Sequence, residues 1–394
     1  MKHITIIGGG PAALMLAANL DTQKYKVTLN EQKKTVGRKF LVAGEGGLNL
    51  TFSSPLDDLI EQYSPSDYKA PYLKQFTNED LMRWLKNIGI STFVGSSNRV
   101  FPTPDLKPID VLSKIVKHLS SKDIEFRFET KWTGWNNKGL LCFEESKEEE
   151  TDITVFSLGG ASWKVTGSDG SWSAPFAERG INVLPFRAAN CAFGVDWNKN
   201  FIATHQGKPL KNIALTFDEK VAKGELVITK FGLEGNAIYA LSEKLQEALL
   251  NKENVVLQLD LKPSMTLAQI KKKFSNSGLS KVTDILKEDI NLDRSTIGLL
   301  KQFSDKETFM NPDLLATTIK SVPIPIASVD DIDKAISTLG GIDLDEVDGN
   351  FQLNKIHNSY VIGEMLDWYA PTGGYLLHGC FSMGYSLANH LNSL

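Results

Sequence analysis

The sequence predicts an α/β fold: a doubly wound parallel sheet assembled from both chain ends, with a β-rich domain and a small helical domain inserted between them. Three observations point there. First, the β-branched run His3-Ile4-Thr5-Ile6-Ile7 stops at Gly8-Gly9-Gly10, and an Ala/Leu-rich helix (Pro11 to Leu20) and a second strand (Lys26 to Asn30) follow directly. Second, the middle of the chain runs through short extended segments and then Lys-rich amphipathic ones. Third, the strand Tyr360-Val361-Ile362 leads into another Gly-Gly turn and a last helix, Leu376 to Leu394.

Taken in order, the first strand, helix and second strand make a β-α-β unit of about 30 residues, and Pro11 is tolerated because it falls in the first helical turn. Helical patterns follow at Asn78 to Ile88 and Pro108 to Leu119, with a hairpin between them around Ser96-Ser97-Asn98. Ile124 to Phe128 alternates as a strand, and Trp132 to Phe143 reads as a further hairpin. Thr154 to Leu158 is a third strand, ended by Gly159-Gly160. Runs such as Ala214 to Phe217, Glu225 to Ile228 and Val255 to Leu259 define the β-rich part. The Lys271-Lys272-Lys273 region is read as a solvated helix face, and Val322 to Ile326, with two prolines, as an extended connector. The domain expectation is 1–187 with 345–394, 188–262 with 322–344, and 263–321.

Composition narrows the function. With 43 Lys+Arg against 47 Asp+Glu, the 394-residue chain has a formal net charge of −4, which argues against a nucleic-acid partner held by bulk positive charge. Three scattered cysteines, Cys142, Cys191 and Cys380, make neither a disulfide framework nor a zinc site. No His/Asp/Glu spacing, His205 and His357 included, suggests a metal. The apolar stretch Ile4 to Leu20 is broken by three glycines and a proline, so no membrane partner is expected. A reducing cytoplasm is the expected location.

Four segments carry chemistry. Gly8, Gly10 and Ala13 fit the G-x-G-x-x-G/A fingerprint: Gly8 permits the tight turn, Gly10 lets a pyrophosphate approach the backbone, and small Ala13 allows close helix packing. Glu31 closes the second strand, where a carboxylate accepts from both ribose hydroxyls and repels a 2′-phosphate, leaving FAD or NAD. The segment Val36 to Thr51 combines the cations Arg38 and Lys39 with Gly44, Gly46 and Gly47, as a ligand-hugging loop requires. Leu158 to Gly170 places small residues where a strand end meets the crevice. Gly363-Glu364 supplies an acid for a polyol, and Gly373-Gly374-Tyr375 opens a helix whose N–H groups would favour a partly negative ligand atom.

These four segments resemble those of a bacterial family of three-domain flavoproteins that includes aminoacetone oxidase and the BaiN-like bile-acid-modifying flavoproteins. The likeness spans the chain from the Gly8 turn to the final helix. It implies FAD in a Rossmann-type domain, Glu364 near the ribityl chain and the Gly44 to Thr51 loop near the isoalloxazine. Many members have Gly-Arg-Cys-Asn and Tyr-Asn-Leu-Gln where this chain has Gly46-Gly47-Leu48-Asn49 and Tyr375-Leu376-Leu377-His378. Those departures bear on the substrate, not the cofactor.

The expected cofactor-binding set is Gly8, Gly10, Pro11, Ala12, Ala13, Glu31, Gln32, Arg38, Lys39, Gly44, Gly46, Gly47, Leu48, Asn49, Leu50, Gly159, Gly160, Thr166, Gly363, Glu364, Gly373, Gly374 and Tyr375. Tyr375 and His378 are the candidates for a catalytic role, and Trp163, Trp172 and Trp368 for walls of a substrate pocket. The expected activity is FAD-dependent oxidoreduction of a small molecule at the domain junction, with reoxidation by oxygen or another acceptor. The alternatives are an NAD(P)H-dependent flavin reductase and a non-catalytic flavin sensor.

Overall fold

The structure is a computed structural model describing residues 1–44, 47–251 and 254–394, so Gly46 of the expected set lies outside the described residues. It divides into two compact units, residues 1–188 with 332–394 and residues 189–331.

The first unit is organised by a parallel sheet of β1 (Lys2–Ile7), β2 (Tyr25–Glu31), β3 (Ile124–Phe128), β4 (Ile153–Phe156) and β5 (Ser359–Val361), in spatial order β5-β4-β1-β2-β3. All four pairings are parallel, with Ile6 opposite both Leu29 and Val155. Ile4, Ile6 and Ile7 are buried, as expected of a strand covered on both faces. The strand order reverses direction beside β1, which places a crevice at the carboxyl ends of β1 and β4.

Helix α1 (Pro11–Asn19) follows the Gly8 turn, and α2 (Arg38–Ala43) opens after Gly37, whose φ of +67° marks a left-handed turn. Helix α3 (Ser66–Gln75) and the long α4 (Tyr375–Ser393) complete the elements needed here. At Gly384 of α4 a Cβ would fall 2.3 Å from the Ala12 carbonyl oxygen of α1. Only glycine permits that approach, so the two ends of the chain share one core.

The second unit is a seven-stranded antiparallel sheet with helices such as Leu267–Asn276, Arg294–Gln302 and Pro312–Lys320 alongside it. Val322–Pro325, read above as a connector, is an edge strand pairing with Val256–Asp260; the alternating pattern buries Val322 and Ile324, and proline is tolerated at an edge. Residues 332–344, grouped above with the β-rich part, lie in the first unit, where the strand Ser337–Ile342 pairs with Val183–Ala189.

Candidate functional site

A cleft opens above the carboxyl ends of β1 and β4, and the Gly8 turn forms its floor. The Gly8 amide donates to the Asn30 carbonyl at 2.8 Å. With φ at +100°, a Cβ on Gly8 would strike the Ser157 carbonyl oxygen at 2.2 Å, so the strand beside it dictates glycine. Gly10 differs: its backbone is extended and a Cβ there would meet nothing nearer than Ser157 O at 4.0 Å. The space above Gly10 therefore belongs to the cleft. Pro11 and Ala12 line the cleft with it, whereas Ala13 is fully buried beneath, in the core.

Glu31 turns back onto this floor. Its carboxylate accepts from the amides of Gly9 and Lys33, both at 2.8 Å. Burial raises its pKa, against the pull of those two N–H groups and the charges of Lys33 and Arg38. Each oxygen keeps a lone pair for a further donor.

The opposite wall comes from the chain after β4 and β5. Gln32 donates to the Gly167 carbonyl at 2.6 Å and the Trp172 indole to the Gly159 carbonyl at 2.9 Å, pinning the Gly159 to Ser171 loop over the floor. Lys39, one of the two cations of the Val36 to Thr51 segment, lines the cleft and donates to Glu364 at 2.9 Å and to Ser162 at 2.8 Å. Glu364 also accepts from the Thr338 amide at 3.0 Å. Gly160 is not in the lining; a Cβ there would press to 2.0 Å on Thr338 Oγ1, so its glycine serves this packing. Arg38, Gly159, Thr166 and Gly363 all line the cleft.

Three side chains in the lining carry buried polar atoms with no hydrogen-bond partner: both amide atoms of Asn30, the Trp132 indole nitrogen and the Ser168 hydroxyl. Orphaned buried donors and acceptors are rare in folded proteins. Converging on one cleft with an open glycine turn, they fit a ligand with heteroaromatic edges, hydroxyls and a pyrophosphate, which FAD provides. Gly8, Gly10, Glu31, Gln32 and Thr166 would hold its nucleotide half, and Glu364 its polyol.

A second group of expected residues gathers elsewhere in the first unit. Gly373 and Gly374 both have φ of +105°, and a Cβ on Gly374 would lie 2.7 Å from the Thr51 backbone. The Gly-Gly turn thus clasps the end of the Gly44 to Thr51 loop. In that loop Gly44 packs on the Pro108 ring, Leu48 and Leu50 are buried in the core, and the Asn49 amide donates to the Gly47 carbonyl at 3.1 Å. None of these residues lines the cleft described above. Tyr375 stacks on Phe52 with ring centroids 5.1 Å apart, and burial pushes its phenol pKa up to about 12.

His378 has no exposed surface; its Nε2–H donates to the Phe76 carbonyl at 2.9 Å and its Nδ1 accepts from the Thr51 hydroxyl at 2.9 Å. Burial pulls its pKa down to about 4, so it is a neutral core residue with both nitrogens engaged, and no nitrogen is left for substrate. Trp368 is likewise a buried support, its indole donating to the Gly363 carbonyl at 2.8 Å. Cys380 lines the cleft, and burial pushes its thiol up to about 12, which makes it a poor nucleophile.

Sequence reasoning did not count Asn30, Trp132 or Cys380 among the site residues, and it took in Ser168 only as part of the Leu158 to Gly170 segment. For Asn30 a signal existed, a polar residue in a buried parallel strand beside Glu31. Among the described residues no group of three or more His, Cys, Asp or Glu side chains is arranged to hold a metal, and no helix is long and apolar enough to cross a membrane.

Comparison with known proteins agrees with this geometry. The 3-dehydro-bile acid delta(4,6)-reductase of Clostridium scindens is 24% identical, over 98% of both chains. The ribosomal RNA dihydrouridine synthase of Escherichia coli is 22% identical, over 98% of this chain and 97% of its own. In fold, the chain is similar to the 3-ketosteroid delta1-dehydrogenase of Sterolibacterium denitrificans (11% identity, TM-score 0.53, all of both chains). It is also similar to a flavocytochrome c3 fumarate reductase (11% identity, TM-score 0.52, all of this chain and 78% of the other). The HI0933-like protein Rossmann domain matches residues 2–390. With the glycine turn, Glu31 and the orphaned polar lining in one cleft, the chain belongs to the HI0933-like Rossmann-domain family and is an FAD-dependent oxidoreductase.

Proposed function

We propose that this enzyme reduces a carbon–carbon double bond conjugated to a carbonyl group in a small molecule. The observation that supports this reading is a shared chemistry in two full-length relatives of unlike substrate. A delta(4,6)-reductase of a 3-oxo bile acid and a synthase of dihydrouridine both add two hydrogens across an alkene conjugated to a carbonyl. FAD, when bound and reduced by a two-electron donor, would supply the hydride.

The chain's own residues supply the setting. Lys39, itself held by Ser162, and the Thr338 amide fix the Glu364 carboxylate, so the cofactor's polyol would meet a preorganised acceptor. The second carbon would take its proton from solvent, since Tyr375 is stacked on Phe52 outside the cleft lining. A small substrate is favoured over RNA by the net charge of −4.

The test is anaerobic. Photoreduced holoenzyme is mixed with a 3-oxo-4-ene steroid, with a small cyclic enone, or with a uridine-containing RNA, and flavin absorbance is followed. Fast recovery of the oxidised spectrum with an enone supports the reading. Recovery with RNA alone overturns the small-molecule assignment. If no alkene reoxidises the flavin, while an amine or amino-ketone bleaches the oxidised enzyme and oxygen restores it, the enzyme runs in the opposite direction and the reading fails.

A further inference from the structure

Lys69 of α3 has no exposed surface, and none of its contacts among the described residues is a carboxylate. Its Nζ lies 2.9 Å from the Met383 sulfur of α4 and 3.4 Å from the centroid of the Trp368 ring, with the Tyr68 ring at 6.0 Å. An ammonium taken out of water without a counter-ion is expensive to keep, and burial accordingly draws the lysine well below its usual pKa. The Trp368 face works the other way, since its quadrupole attracts a cation. Burial and the ring face therefore pull the amine's charge in opposite directions.

Its position gives that balance a use. Trp368, on which Lys69 rests, donates through its indole to Gly363 in the cleft lining, and Cys380, one helical turn before Met383 on α4, lines the same cleft. Lys69 is thus one side chain behind the wall in two directions. Other titratable groups on the neighbouring elements include Tyr63 beside Trp368, Tyr68 and Tyr72 of α3, all raised by burial, the exposed Asp348 near those last two, and His378 of α4, neutral with both nitrogens engaged. Beyond Cys380 sits the Lys39–Glu364 pair, already neutralised. Asp57 and Asp58, on the preceding short helix, are exposed.

We propose that Lys69 is the charge-compensating group of the cofactor cleft, taking up one solvent proton when cofactor reduction adds negative charge across the Trp368 and Cys380 wall and releasing it on reoxidation. A hydride delivered to FAD leaves one net negative charge in the cleft; the Lys69 amine plus one proton from solvent becomes an ammonium that balances it, and the reverse follows when the hydride leaves. This inference rests on the cofactor and is independent of which substrate is reduced.

The experiment is a spectroelectrochemical titration of the holoenzyme in the mildly alkaline range, where reduced flavin is itself anionic. The pH slope of the midpoint potential counts protons per two electrons. Two protons are expected for the wild type and one for Lys69→Met. Replacing an unpaired buried amine by an apolar chain of similar shape should not lower the melting temperature of the apoprotein. Cys380→Ala should keep the wild-type count; if it loses a proton, the thiol is the titrating group and the proposal fails. An unchanged count in Lys69→Met, with only FAD affinity altered, would reduce Lys69 to a packing support for Trp368. Should Lys69→Met not retain FAD, photoreduction of unbuffered wild-type holoenzyme with an indicator dye counts the protons directly, and uptake of one overturns the proposal.

Discussion

Lys39 and Glu364, 325 residues apart in the sequence, meet in a 2.9 Å ion pair that closes the wall of the cofactor cleft. The pair is largely shielded from solvent and tied to Ser162 and to the Thr338 amide, so it couples α2 to the turn after β5. Lys39→Met should leave a fold of near-normal stability but strand the Glu364 charge. FAD affinity, read by fluorescence on titrating apoprotein, should fall about tenfold, a change on the order of 1.4 kcal/mol.

The two glycines of the first turn should fail in different ways. Gly10→Val places its side chain in the open cleft, so the apoprotein should melt as wild type yet bind little FAD. Gly8→Ala drives a Cβ into the Ser157 carbonyl at a positive φ, so it should lower the melting temperature of the apoprotein itself. Calorimetry on both, without FAD, separates the two effects.

Asn30 trades stability for binding. Both its amide atoms are buried and unpartnered without ligand, so Asn30→Leu should raise apoprotein stability by about 1 kcal/mol while weakening FAD binding. A variant that gains stability and keeps wild-type FAD affinity would remove Asn30 from the cofactor's contacts.

His378 makes the fold acid-sensitive. Its folded pKa is depressed to about 4 from the ordinary imidazole value of 6.5, so between those pH values the unfolded chain binds the proton and the folded one does not. Stability is therefore complete above about pH 6.5 and declines as pH falls toward about 4, by on the order of 3 kcal/mol for this residue. His378→Gln can donate to the Phe76 carbonyl and accept from Thr51 without titrating. It should flatten the pH dependence of urea midpoints in that window, leaving the smaller contributions of His3, His118 and His205, whose pKa values burial also lowers.

What was legible in the sequence is local. The Gly8 turn, Pro11 at a helix start and Glu31 at a strand end announce themselves through backbone requirements that hold before any tertiary contact forms. The segments on which a side chain's surroundings depend are less readable. Ser66-Asp67-Tyr68-Lys69-Ala70-Pro71 looks like a solvated helix start, yet Lys69 is fully buried, because its surroundings come from Trp368 and Met383 at the far end of the chain. Gly374 illustrates the other limit: glycine there can be read as an opening toward a ligand, and the structure shows a left-handed turn against which the Thr51 backbone packs. Asn30, Trp132 and Ser168 converge only once β2, the Trp132–Trp135 strand and the loop after β4 are in place.

The union of α1 with α4 through Gly384 also has a kinetic meaning. During synthesis β1, β2 and α1 emerge early, but β4 gains its outer neighbour β5, and α1 its partner α4, only after the whole second unit has left the ribosome. Until then the edge of β4 and the apolar face of α1 stay uncovered, and the loop to be closed spans an entire folded body. Such non-local pairing is slow to form. Refolding should thus show a late phase, distinct from the second unit's own folding, in which FAD binding and burial of the α1 face appear together.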